Sequence, residues 1–178
     1  LAPYGEPKYV DDLRDVLPLV PGGLFTLNRR YFQSPHKGYV YYSDDHLPLV
    51  KPLYGPALEA LFGKARTKDE PLTQHHKDLA ASVQRYTEEV IFHVLRYLHE
   101  KTGLTRVCIA GGVAQNSVAN GKITRNTPFS EVYIPSAGHD AGISMGSAYW
   151  VQHRVAQQDR SEAVFNANTG SHYSNAFI

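Results

Sequence analysis

Apolar residues recur at three- and four-residue steps through residues 73–102: Leu79, Val83, Tyr86, Val90, Val94 and Leu98, with Ile91 and Leu95 widening the stripe. That period marks an amphipathic helix. Thr73 suits the N-cap and Gly103 the left-handed position just past the end. The spacing predicts one helix of about 30 residues, or about 45 Å. A short apolar run at 105–110, Thr-Arg-Val-Cys-Ile-Ala, reads as a buried strand that ends at Gly111-Gly112. A second helix is expected over 113–124, stopping before Pro128, which cannot continue it. Residues 131–134 read as a second strand closed by Pro135. The turn at 136–139 leads to Asp140 and to a third helix from Ala141 to about Val155. Strand, helix, strand, helix behind one long helix is an α/β layout.

The first 70 residues have a different texture, rich in Pro, Gly, Tyr and Asp. Pro18, Pro21, Gly22 and Gly23, then Pro48, Pro52, Gly55 and Pro56, act as turn signals. Between them, 24–27 and 38–42 read as short strands that pair as a hairpin. Residues 57–62 make one or two helical turns ending at Gly63, and 67–71 an exposed connection. The expected organisation is a loop and β-ribbon segment over 1–70, an α/β core over 71–155, and a polar linker or frayed tail over 156–178.

Composition narrows the class. The 178 residues are 42% apolar and 20% charged, enough for one real core. Lys plus Arg number 18 against 17 Asp plus Glu, so no basic excess points to nucleic acid. No apolar run approaches a membrane-spanning length. The single cysteine, Cys108, excludes an internal disulfide framework and a Cys-rich zinc site, and it fits a reducing cytoplasm. The chain opens Leu1-Ala2-Pro3-Tyr4-Gly5, and its one methionine is Met145. The expectation is a piece of a longer protein, with nothing resembling a signal peptide.

Two constellations could carry chemistry. In Ala110-Gly111-Gly112-Val113-Ala114-Gln115-Asn116-Ser117-Val118-Ala119-Asn120, two glycines between strand and helix let a ligand or another backbone come close. The helix N-terminus behind them would suit phosphate. Asn116 and Asn120, four apart, would share one face and could hydrogen-bond a ribose or base. The alternative is a tight turn followed by a polar surface. The block is neither G-x-G-x-x-G nor a Walker loop. In the second constellation, Asp140 caps the third helix, offers a hard oxygen ligand to a divalent metal, or orients a phosphate. Gly142 and Gly146 bare that helix for close packing. His75, His76, His93 and His99 match no trusted metal spacing. Gly142-Ile143-Ser144-Met145-Gly146 matches the G-x-S-x-G elbow of serine hydrolases, with Asp159 and His172 following. Ser144, however, is expected inside a helix rather than on a sharp strand-to-helix turn.

These residues carry a resemblance. The stretch from Val107 to Lys122, continuing to Ile123-Thr124-Arg125-Asn126-Thr127-Pro128-Phe129, resembles the signature of the NodU/CmcH carbamoyltransferase family. Leu1-Ala2-Pro3-Tyr4-Gly5, the block from Leu72 to Ser82, and Asp140-Ala141-Gly142 with Gly146-Ser147-Ala148 resemble further family blocks, so the likeness runs to about residue 153. It implies the second lobe of an actin-like ATPase domain, a mixed sheet flanked by helices, as in sugar kinases and tRNA-threonylcarbamoyl transferases. It implies an ATP-dependent O-carbamoyltransferase that moves the carbamoyl group of carbamoyl phosphate, through carbamoyl-adenylate, to the hydroxyl of a small-molecule acceptor. Gly111 and Gly112 would border the nucleotide, Asn116 and Asn120 would contact adenosine, and Asp140 would be one ligand of a divalent metal, usually iron. A metal beside the carbamoyl-adenylate would polarise its carbonyl.

The family brings two further metal-ligating histidines from a first lobe and a YrdC-like domain downstream. This chain is therefore expected to be half a site, inactive alone, with a tail that leads toward that domain. Its exposed cleft face would favour a homodimer. Where many members read G-D-A-G, this chain inserts His139 before Asp140, and Gln115 stands at an often apolar position. The competing readings are a kinase or other ATPase of the same fold, and a non-catalytic interaction module that keeps the fold.

Overall fold

The computed structural model describes residues 1–33, 40–42, 48–50 and 52–160. It is a mixed α/β protein. Its helices are α1 (Val10–Val16), α2 (Pro56–Phe62), α3 (Gln74–Thr102), α4 (Ser117–Asn120), α5 (Ile123–Asn126) and α6 (Gly142–Trp150). Its strands are β1 (Leu19–Val20), β2 (Leu24–Phe25), β3 (Val40–Tyr42), β4 (Pro48–Val50), β5 (Arg106–Cys108) and β6 (Glu131–Tyr133). The chain forms two compact units, Leu1–Leu98 and His99–Ile178.

In the first unit, the ribbon expected over 24–27 and 38–42 pairs differently. β2 joins β1 and β3 joins β4, each as a short antiparallel ladder. The segment is also more than ribbon. Helix α1 brings Val16 to Tyr31 and Phe62, and these three make a core with Leu13, Phe32, Leu58, Leu61 and Leu79 packed around it. Helix α1 leaves no periodic signal because its seven residues, Val-Asp-Asp-Leu-Arg-Asp-Val, are too few for an apolar stripe. Helix α2 starts with Pro56 in its first turn and stops at Gly63, whose φ of 89° few other residues adopt.

Helix α3 is the long helix expected, and Gly103 ends it with φ 64°. Thr73 and His76 form a capping pair at its start. The Thr73 amide donates to His76 Nδ1 at 3.0 Å, and the Thr73 hydroxyl lies 2.8 Å from the same nitrogen. The buried face is not quite the apolar stripe. Val83 and Leu98 are exposed, whereas Asp78, Ser82 and Glu88 are buried beside Ala81, Tyr86, Phe92 and Leu95. Asp78 and Ser82 are buried because the first nine residues dock there. An added Cβ at Gly5 would collide with the Lys77 carbonyl. The Glu6 amide, Lys8 Nζ and Gln74 Nε2 all donate to the Asp78 carboxylate at 2.7–2.9 Å. The Tyr9 amide donates to Ser82 Oγ at 3.0 Å, and that hydroxyl donates to the Asp78 carbonyl. Three donors, Lys8 first, hold the Asp78 carboxyl down to about 2.

The helical histidines serve the same packing. The Phe62 carbonyl can only accept, so His75 Nε2–H donates to it at 2.7 Å, and Nδ1 accepts from the Tyr9 hydroxyl at 2.9 Å. His93 Nε2–H is shared between the Val20 and Leu24 carbonyls at the ends of the β1–β2 hairpin. Tyr86 donates its hydroxyl to the Leu17 carbonyl at 2.6 Å.

In the second unit, β5 and β6 pair in parallel, as the strand–helix–strand order requires, with Val107 opposite Val132. The expected burial of this strand holds only for Val107; Arg106 and Cys108 are exposed. Among the described residues of this unit, Val107, Ala114, Ala119, Ile123, Phe129 and Ala137 are the buried apolar ones. The Phe129 ring meets His99 edge-on at 5.7 Å, and His99 Nδ1–H donates to the Leu104 carbonyl. Helix α6 continues into a wider π turn, Val151–Val155. Residues 161–178, most of the expected tail, lie outside the described residues, as do 38 and 39 of the expected second ribbon strand.

Candidate functional site

Both loops singled out by the sequence leave the carboxyl ends of β5 and β6, the edge at which parallel sheets gather ligands. After Cys108 the ladder continues for one bond, Ile109 N–H to the Tyr133 carbonyl at 3.0 Å. The chain then turns at Gly111, whose φ of 106° is strained for any side chain. Nothing lies within 4 Å of an added Cβ at Gly111 or Gly112, so the backbone here is open to an approaching ligand.

The single helix expected over 113–124 is instead three short pieces. A 3₁₀ turn, Gly112–Gln115, comes first, then α4, then α5. The break falls at Asn116, with φ −72° and ψ 88°, whose side chain competes with the helix for a backbone partner. Its Oδ1 accepts from the Ala119 amide at 3.1 Å, so Asn116 is the N-cap of α4. Asn120 ends α4, and its Nδ2 donates to the Ala114 carbonyl at 2.7 Å. The two carboxamides thus brace the loop from both ends of a four-residue helix; they do not line one face of a long one. The dipole argument for phosphate falls with that helix, since a four-residue piece has little macrodipole. What remains for an anion or a polar ring edge is the bare Gly111-Gly112 backbone.

The Asp140 turn packs onto this loop. Gly111 N–H donates to the Gly138 carbonyl at 2.6 Å. Gln115 lies over Gly138, its Nε2 2.9 Å from where a Cβ would stand. Asp140 does not cap α6: the cap position is Ala141, with no side-chain bond. His139 takes part of that duty, its Nδ1 accepting from the Ala141 amide at 3.3 Å. Asp140 is exposed. Gly142 packs as closely as expected, an added Cβ running into the Ala137 carbonyl, whereas Gly146 has open space around it. Sequence reasoning missed Gln115, Ala137 and Gly138 as the material that joins the loops; the glycine at 138 was the one available sign.

A carboxylate is the right donor for a hard divalent ion, but one is too few. Among the described residues no three His, Cys, Asp or Glu side chains gather. Asp140 therefore fits as one ligand at most. Ser144 sits inside α6 with its hydroxyl bonded back to the Ala141 carbonyl at 3.2 Å. It is no nucleophile elbow; Asp159 is exposed and His172 lies outside the described residues.

Residues 1–149 match the family described as Carbamoyltransferase N-terminus. The chain belongs to that family. The "Uncharacterized protein sll1178" of Synechocystis sp. is 39% identical over 179 residues, covering 99% of this chain and 27% of that protein. "Nodulation protein NolNO" of Sinorhizobium fredii is 36% identical over 164 residues, 92% of this chain and 21% of its own length. "Nodulation protein NolO" of Bradyrhizobium diazoefficiens is 34% identical over 169 residues, 93% of this chain and 27% of its own. The chain thus spans about a quarter of the length of these relatives. No helix among the described residues is long and apolar enough to cross a membrane.

Proposed function

We propose that this chain is the nucleotide-binding part of an ATP-dependent O-carbamoyltransferase with an actin-like fold. The observation that carries the reading is the family match over residues 1–149, which spans both loops at the carboxyl ends of β5 and β6. In this reading the bare Gly111-Gly112 backbone borders the phosphates. The half-buried Asn116 and Asn120 hold the loop to shape beside the adenosine, and Asp140 lends one oxygen to a divalent metal, ferrous iron by family resemblance, whose other ligands come from elsewhere. The longer protein would cleave carbamoyl phosphate with water to carbamate and phosphate, let the carbamate oxygen attack the α-phosphate of ATP to give carbamoyl-adenylate with pyrophosphate leaving, and pass the carbamoyl group to a small-molecule hydroxyl. The loops would keep the adenylate fixed while the acceptor oxygen attacks and AMP leaves.

The test is ATP titrated into the chain and followed at backbone amides by NMR. The reading expects saturable shifts at 110–116 and 138–141. Unmoved amides there at millimolar ATP would count against it. In a full-length relative carrying these residues, carbamoyl phosphate, ATP and a sugar acceptor should yield an O-carbamoyl product. ATP consumed to give a phosphorylated acceptor would favour a kinase instead.

A further inference from the structure

We propose that Gly138 and Gly142 are positioning residues that lock the Asp140 turn to the Gly111-Gly112 loop, so that the two loops present one rigid recognition edge. Three contacts carry this. Gly111 N–H reaches the Gly138 carbonyl at 2.6 Å, the one strong bond from the glycine loop to the other loop among the described residues. The Gly142 amide donates to the His139 carbonyl at 2.9 Å, closing the turn that holds Asp140. The α-carbon of Gly142 lies so close to the Ala137 carbonyl that an added Cβ would collide with it.

The consequence follows from sterics. Ala137 is buried, and its neighbour Gly138 supplies the carbonyl that Gly111 grips. A methyl group at 142 must push either the α6 start or the 137–138 peptide away. Either movement carries Asp140 off and strains the Gly111 bond. Gly146 is one turn along the same helix with nothing within 4 Å of an added Cβ. The same substitution there leaves the lock alone, which provides an internal control. Gly138 offers a milder disturbance. Its added Cβ would meet the movable Gln115 amide and, at 3.1 Å, the Pro135 carbonyl.

Two readouts separate this inference from the nucleotide reading, on which it rests only for its ligand. The first is hydrogen exchange of the Gly111 amide in the wild-type chain, Gly142→Ala, Gly146→Ala and Gly138→Ala. The lock predicts at least tenfold faster exchange at Gly111 in Gly142→Ala. A smaller acceleration is expected in Gly138→Ala and none in Gly146→Ala, with the Ile109 amide on the β5–β6 ladder unchanged in all. Equal Gly111 protection in Gly142→Ala and the wild type would overturn it. If Gly142→Ala loses the fold, Gly138→Ala decides by the same amide. The second readout is ATP affinity, expected to fall about tenfold in Gly142→Ala and not in Gly146→Ala. Should wild-type chain ignore ATP, the nucleotide reading fails while Gly111 exchange still judges the lock. Should ATP bind both variants like wild type, the loops act separately and the positioning role is lost.

Discussion

Lys8 Nζ lies 2.8 Å from Asp78 Oδ2, across 70 residues of chain, and joins the opening segment to the first turns of α3. Asp78 is buried while half of the Lys8 side chain is exposed. The pair is therefore asymmetric: the carboxylate depends on its donors more than the ammonium depends on it. Asp78 also takes the Glu6 amide and Gln74 Nε2, so no single donor carries it.

Asp78→Ala is expected to destabilise the chain more than Lys8→Met. The first leaves the Glu6 amide and Gln74 without their acceptor, whereas the second leaves two donors in place. Thermal unfolding should show a fall on the order of 5 °C or more for Asp78→Ala and a smaller one for Lys8→Met. Equal losses would mean that the ion pair, and not the hydrogen-bond set, holds the segment.

The same carboxyl sets an acid limit. In the fold it sits at about 2, below its ordinary 3.8. A depressed acid stabilises the fold fully above its unfolded pKa, and the benefit is lost as pH falls through the folded value. The stability gap between wild type and Asp78→Asn should be constant above about pH 5 and close between pH 4 and 2. Urea unfolding across that range checks it, and a gap that survives at pH 2 would assign the effect to packing.

Asn116→Ala removes the cap of α4 and should cost about 1 kcal/mol. Asn116→Asp keeps an oxygen for the Ala119 amide and should retain most of that stability. If Asn116→Asp nonetheless loses ATP binding, the amide hydrogens of Asn116 matter to the ligand. Comparing the two variants by thermal unfolding and by ATP titration separates brace from contact.

Ser144→Ala should leave stability and every binding property unchanged, because the hydroxyl only bonds back to its own helix. A fluorophosphonate probe should label neither protein. Labelling of the wild type that vanishes in Ser144→Ala would reopen the hydrolase reading.

How much of this was legible depended on the length over which a pattern could repeat. Helix α3 was visible because its 29 residues cover eight turns; α1, with seven, was not. The alternation of β5, helix, β6 and helix was visible as an α/β layout, and the parallel pairing of β5 with β6 is consistent with it. The face of α3 was misjudged because hydrophobicity cannot announce that Asp78 and Ser82 are buried by a partner 70 residues away. The glycine loop was legible as a place, since Gly111 needs its positive φ, but not as a shape. Asn116 and Asn120 fit a helical spacing equally well whether the helix continues or is broken by the side chains themselves. The Gly111–Gly138 bond joins residues far apart in the chain and has no local trace.

The exposure of β5 gives the chain a built-in attachment point. Cys108 is the only thiol in 178 residues and faces solvent at the end of its strand, three residues before Gly111. A maleimide dye would therefore react at one place without any prior removal of other cysteines. Its emission would report whatever settles on the glycine loop in real time.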